Sequence, residues 1–213
     1  MAVCVAGIAI PDSAMACAAT SIVRESGPDI LFRHACRAFF FASLIGHRRS
    51  MSFDPELLYV ASMFLHYGLG PLCRESKRRF EVDSADAAGK FLRSHGVSET
   101  AIHDVWSAIA LHTTFGISDH PSPLVGLLNA GIETDLMAMH FDEVEESKRT
   151  AIVIAYPRGH AFKSLVIEAF AEGMTSRPET TFGTVNADIL DRCDPDYRRV
   201  NYCGRILGSA WTE

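Results

Sequence analysis

The chain reads as all-α, one compact helical bundle spanning residues 1–213. Three observations carry that reading. Apolar residues recur at steps of three and four in segment after segment, the spacing of one helical face. Cap and stop signals bracket those segments, with Ser13, Asp54-Pro55 and Ser98 at starts and Gly96 at an end. No run alternates in the manner of a strand, and no internal repeat competes. With 213 residues and 48% hydrophobic composition, the chain can bury one sizeable core.

In order, Asp12 or Ser13 can cap a first helix to about Glu25, and Ser26-Gly27-Pro28 breaks it. Asp29 caps the second, where Leu31, His34, Ala38, Phe41 and Ile45 share a stripe, and His47-Arg48-Arg49 closes it favourably against the helix dipole. Asp54-Pro55-Glu56 starts a third that runs toward His66 before Gly68, Gly70 and Pro71 break it. The spacing of Asp83 and Asp86 predicts a cap for a fourth, from Ala85 to His95. Ser98 opens a fifth, bearing Ile102, Val105, Trp106, Ile109 and His112. A turn-rich stretch, residues 116–123, precedes a helix on which Leu124, Leu127, Leu128, Gly131 and Asp135 share a face. Residues 143–155 and 161–174 read as two more helices around Tyr156-Pro157-Arg158-Gly159, and the tail beyond Arg177 is less periodic.

A net charge of -6 with interspersed signs argues against a nucleic-acid surface. The six cysteines lie far apart without a C-x-x-C pair, and four of them sit in otherwise apolar surroundings, which predicts reduced, mostly structural thiols. Residues 1–11 are apolar but lack a basic leader region and are too short to span a bilayer, so the expectation is a soluble, cytoplasmic protein without membrane contact. A small-molecule substrate is the expected partner. Phe39-Phe40-Phe41 suits either the core or a homodimer face.

His34, His112 and Asp135 are polar residues on apolar stripes, where each needs a partner. Any one alone suits a hydrogen-bonded core residue; three on three helices, with His66 at the end of another, favour a site built from facing side chains. Two imidazoles and a carboxylate suit one divalent ion, zinc, iron or manganese. The same groups suit metal-free proton transfer, with an aspartate fixing the tautomer of a histidine base. Arg33, Arg37 and Lys163 are expected to be solvated or paired, Glu81 to sit in a pocket or at the surface, and Cys36 to point away from His34. G-x-S-x-G, Gly-rich phosphate loops and H-E-x-x-H do not occur.

Leu58-Tyr59-Val60-Ala61-Ser62-Met63-Phe64-Leu65-His66-Tyr67-Gly68-Leu69 resembles the signature helix of HD-domain metalloenzymes, with the His-Asp dipeptide replaced by Leu65-His66. Leu31-Phe32-Arg33-His34, Phe80-Glu81-Val82-Asp83, Ala108-Ile109-Ala110-Leu111-His112-Thr113 and residues 5–13, 54–61 and 181–188 are similar to the cyanamide-hydratase-like branch of that superfamily. The resemblance covers nearly the whole chain. It implies an all-helical fold of the HD type and, in that branch, zinc-dependent hydration of a nitrile-like carbon. Other HD enzymes hydrolyse phosphoesters or activate oxygen on two irons.

Carried over by residue, His34 matches the first metal ligand, Asp135 the last, and His112 a histidine kept near the pocket. The gapless register puts Leu65 at the ligand histidine and His66 at the ligand aspartate; sliding by one makes His66 the histidine and Tyr67 the aspartate. The resemblance thus implies a remodelled metal on His34, His66 and Asp135, with His112, His66 and Tyr67 serving catalysis, or a lost metal and a lyase or isomerase working through histidine and aspartate. A non-catalytic ligand-binding descendant is the contrasting expectation.

Overall fold

The structure, a computed structural model, describes residues 3–116 and 122–211. It is all-α apart from one two-residue ladder, in which β1 (Cys4–Val5) pairs antiparallel with β2 (Ile8–Ala9) around Ala6 and Gly7, both at positive φ. That ladder is the one departure from a strand-free expectation. A two-residue turn with positive φ at both central positions suits a tight hairpin.

Helix α1 (Ala14–Ser26) starts on the Ser13 hydroxyl, which accepts from the Ala16 amide at 3.0 Å. Helix α3 (Pro55–Phe64) starts on Asp54, which accepts from Glu56 and Leu57, and α5 (Glu99–Leu111) starts on Ser98. Helix α2 (Asp29–Arg48) differs from expectation, because Pro28 occupies the cap and the Asp29 carboxylate pairs with Arg33 at 2.6 Å. Helix α4 (Phe80–Ser94) begins five residues before the expected Ala85, so Asp83 is not its cap. Asp83 instead bonds Arg177 at 2.6 Å and Arg78 at 2.8 Å, while Asp86 accepts from Arg78 and from the Trp106 indole. Tertiary partners for both carboxylates override the local capping pattern.

Helix α6 (Pro123–Met137) follows the expected turn-rich stretch, whose residues 117–121 lie outside the described ones. Helices α7 (Glu146–Ala155), α8 (Phe162–Met174), α9 (Asn186–Cys193) and the short α10 (Tyr202–Leu207) complete the described chain, with residues 143–145 outside α7. None of the described helices is long and apolar enough to cross a membrane.

Helix α2 is the axis of the fold, buried almost continuously from Leu31 to Gly46 and packed chiefly on α6. Their approach is close enough that a Cβ on Gly131 would lie 2.2 Å from the Ala38 carbonyl oxygen. Phe39, Phe40 and Phe41 are all core residues of this chain, with Phe39 edge-on to Tyr59 at 5.1 Å. Of the six cysteines only Cys36 is buried, and burial pushes its thiol up to about 12. The others are exposed or partly so, contrary to the expected apolar surroundings.

Between α3 and α4 the chain makes two 3-10 turns, Tyr67–Leu69 and Pro71–Cys73. The first is pinned on two sides. The Gly68 amide donates to Ser84 at 2.8 Å, and its carbonyl accepts from the buried Arg177 guanidinium, which also bonds Asp83. A Cβ on Gly68 would lie 2.1 Å from the Phe80 carbonyl oxygen, so this turn lies flush against α4. His66, immediately before it, is held accordingly.

Gly131→Ala should force α2 and α6 apart and cost about 1–3 kcal/mol by overpacking. For a chain of this size that corresponds to a melting temperature several degrees lower, at about 2–4 °C per kcal/mol. Urea denaturation checks it; an unchanged midpoint would contradict the close helix approach described.

Candidate functional site

Four helices converge on one polar cluster in an otherwise apolar interior. His34 comes from α2, His66 from just beyond α3, His112 from the residue that ends α5, and Asp135 from the last turns of α6. All four side chains are buried. The His34 and His66 rings stack with centroids 5.2 Å apart, and His66 meets His112 edge-on at 5.6 Å. Phe170 of α8 packs edge-on to His66 at 4.8 Å, and Phe80 closes on His112 at 5.6 Å.

Asp135 is the most heavily bonded carboxylate in the cluster. Arg37 donates to it twice, Nε to Oδ1 at 2.7 Å and Nη2 to Oδ2 at 2.8 Å, and Arg158 adds a bond to Oδ1 at 2.7 Å. His34 Nδ1 lies 2.7 Å from Oδ2. Burial alone would raise the Asp135 pKa, but the bonds from His34 and Arg37 outweigh it and hold the carboxyl well below the usual range. Both guanidinium groups lie over the Phe162 ring, at 4.7 and 4.1 Å from its centre. Arg37 is fully buried, and its third nitrogen donates to the Tyr156 carbonyl at 3.1 Å.

These bonds fix which ring nitrogen donates. An ionised carboxylate only accepts, so His34 Nδ1 donates to Asp135, and Nε2 is the ring nitrogen outside that bond. The Ile109 carbonyl does the same for His112, whose Nδ1 donates at 2.6 Å and whose Nε2 is bare. Neither of those Nε2 atoms, nor either nitrogen of His66, has a hydrogen-bond partner among the described residues. Burial lowers the pKa of His112, and burial with the neighbouring His34 and His112 lowers that of His66 well below its ordinary value. Both rings are therefore neutral at pH 7.

Behind His112 lies a second buried polar knot. Glu81, fully buried, accepts from Arg79 at 3.0 Å, from the Thr113 hydroxyl and from Asn186 Nδ2 at 2.8 Å. Burial opposes its ionisation, but Arg79, His112 and Thr113 keep its pKa below the ordinary value. Because the carboxylate must face the NH2 of Asn186, the Asn186 Oδ1 points the other way, buried and unpartnered.

A cavity of about 470 Å³ opens onto these groups. His66, His112 and Asn186 form a buried polar wall, Ile132, Leu136, Val166 and Phe170 supply apolar walls, and the half-buried Glu133 and the exposed Lys163 and Asp188 also line it. His34 and Asp135 do not line it. Tyr67 does not line it either; it borders a much smaller cavity of about 20 Å³ on the far side of His66. The expected residues are thus divided, with His66 and His112 at the cavity, His34 and Asp135 behind them, and Tyr67 elsewhere. Lone arginines and a lone asparagine carry no signal in sequence, which is why the roles of Arg37, Arg158 and Asn186 emerge only here.

The ligand set implied by the resemblance does not fit this arrangement. Leu65 is buried where a ligand histidine is needed, and the Asp135 oxygens are occupied by two guanidinium groups and an imidazole. Two positive charges on that carboxylate oppose a cation beside it. No protein-family description and no curated protein sequence matches this chain.

Asp135→Ala should cost about 3–5 kcal/mol, since it strands Arg37 as a buried unpaired charge. The double variant Arg37→Met/Asp135→Leu should recover most of that loss in urea denaturation; two additive losses would show that the pair is not coupled. Stability should also depend on pH through His66 and His112. Their folded pKa values lie below the unfolded 6.5, so the unfolded chain binds more protons and stability falls as pH drops below about 6.5. The slope is at most about 1.4 kcal/mol per pH unit for each histidine. Denaturation at pH 7.5, 6.5 and 5.5 with a chelator present should show the fall, flattened in His66→Leu; an unchanged slope in that variant would count against a neutral, buried His66.

Proposed function

We propose that the protein is a small-molecule enzyme of the HD-like helical type that works by metal-independent proton transfer, in the hydro-lyase or isomerase class, on a largely apolar substrate. One observation carries this: His112 lines a 470 Å³ cavity, its Nδ1 donates to the Ile109 carbonyl, and its Nε2 has no hydrogen-bond partner among the described residues. That is the arrangement a general base needs, with position set first and protonation state second. The HD-like assignment is supported by the order of His34, His66, His112 and Asp135 along the chain and by their convergence from α2, α3, α5 and α6.

In this reading His112 Nε2 takes a proton from bound water or from an acidic group of the substrate. The imidazolium so formed is stabilised by the Glu81 carboxylate, the same charge that favours protonation of His112. His66, neutral and in contact with His112, carries one N–H that can protonate or hydrogen-bond the atom where negative charge develops. Asp135 is a positioning residue, holding His34 as a rigid stacking platform for His66. The apolar walls exclude water, so each of these interactions acts in a low dielectric. Addition of water to a nitrile-like carbon belongs to the reactions this arrangement can serve.

Turnover of a panel of apolar nitriles, alkenoic compounds and hydroxy compounds, assayed with and without chelator, tests the proposal. The expected result is activity that survives chelation and falls about 10²–10⁴-fold in His112→Gln, the range typical of a general base. Activity abolished by chelation and restored by zinc, iron or manganese would overturn the metal-independent mechanism. An active His112→Gln would overturn the assignment of the base.

A further inference from the structure

The polar wall of the cavity is unbalanced in its hydrogen-bonding character. Asn186 Oδ1 can only accept, because Glu81 fixes the amide the other way round. His112 Nε2 can only accept, because Nδ1 donates to Ile109. Neutral His66 offers one acceptor and one donor. Thr113, a buried polar neighbour of this wall, already gives its proton to Glu81, and the other polar residues at the cavity, Glu133, Lys163 and Asp188, are less buried. Acceptors therefore outnumber donors on a wall whose three side chains are each more than nine-tenths buried. Buried acceptors left unsatisfied are costly, and a ligand that supplies donors relieves that cost.

Charge narrows the ligand further. An anion would set its own acceptors against these, and Lys163, the nearest exposed cation at the cavity, stands at the mouth rather than on this wall. A cation would meet carboxylates that already have partners: of those lining the cavity, Glu133 is bonded to His140 and the exposed Asp188 to Arg199, and behind the polar wall Glu81 is paired with Arg79 and Asp135 with Arg37 and Arg158. Neither kind of ion finds a counter-charge among His66, His112 and Asn186, the three side chains of the buried polar wall. Burying an unpaired charge costs far more than burying a neutral polar group.

We infer that the cavity takes a ligand with an apolar body and an uncharged hydrogen-bond-donating head, a hydroxyl or an N–H, which docks against Asn186 Oδ1, His112 Nε2 and His66. The inference rests on the same cavity as the proposed reaction but concerns recognition, so a binding measurement separates the two. It also accounts for the placement of Asn186, which the proton-transfer scheme does not use. Discrimination is expected to be sharp, since a site built to bond a donor rejects an analogue lacking it more strongly than an apolar pocket rejects a missing methylene.

The test is isothermal titration calorimetry of the intact protein with four probes sharing one apolar body: 4-phenyl-1-butanol, its methyl ether, 4-phenylbutanoate and 4-phenylbutylammonium. The alcohol should bind at least tenfold more tightly than each of the other three. In Asn186→Leu and, separately, in His112→Phe, the preference for alcohol over ether should shrink to within about threefold while ether binding persists, which shows that the cavity is still formed. An ether, carboxylate or ammonium that binds the parent as tightly as the alcohol would overturn the inference, as would failure of all four to bind. Alcohol selectivity without turnover of any panel compound would leave this inference standing and count against the enzymatic proposal; turnover confined to compounds without a donor head would do the reverse.

Discussion

The Asp135 carboxylate is the interaction on which the rest of the site depends. It sits where α2 and α6 cross, and its three side-chain partners, joined by four bonds, come from α2 and from the loop after α7. A buried charge pair of this kind adds little net stability over well-packed apolar residues, but breaking it is expensive. Its contribution is arrangement: with Arg37 and Arg158 stacked on Phe162, the first turn of α8 is held against α2, and α8 in turn brings Phe170 onto His66. The same carboxylate accepts from His34 Nδ1 and so orients the His34 ring against His66. Fold and electrostatics are coupled through one side chain.

Helix periods and caps made most of the fold legible in the sequence. Ser13, Asp54 and Ser98 act as the caps their residue types and positions suggest, and the helical stripes around Phe41 and Leu127 do face the core. Misplaced boundaries trace to competition from distant partners. Asp83 looks like a cap because aspartate before a helical run usually is one, yet Arg177, nearly a hundred residues later in the sequence, claims its carboxylate. The candidate site was legible as a set of polar residues on apolar stripes, since such residues must converge on one another or on a ligand. Its division of labour was not. Whether a carboxylate faces an ion, an imidazole or a guanidinium depends on which arginines reach it, and Arg37 and Arg158 look like ordinary helix and turn charges when only their neighbours in sequence are considered.

Tyr67 shows the same limit from the other side. A phenol next to the central histidine in sequence is a natural donor to propose, but the chain leaves α3 at Phe64 and enters a 3-10 turn, so adjacent residues diverge. His66 faces the larger cavity while Tyr67 packs near Phe64 and borders the small one behind. The turn itself is dictated by Gly68, where any Cβ would meet the α4 backbone. One glycine thereby decides which of two neighbouring polar residues can reach the site.

Three clustered, buried imidazoles whose inner nitrogens have no partner among the described residues are energetically costly, and that cost bears on function. Structural histidines in cores normally satisfy both nitrogens, whereas here the outer nitrogens of His34 and His112 are bonded and the inner ones are not. The pairing is directional: each ring is anchored from behind and leaves its free side toward the cluster. A protein that keeps such an arrangement beside a cavity violates local rules of stability in the place where function most often requires it. On the proposed reading, the unpartnered side of the histidine cluster is the face that receives a hydrogen-bond donor.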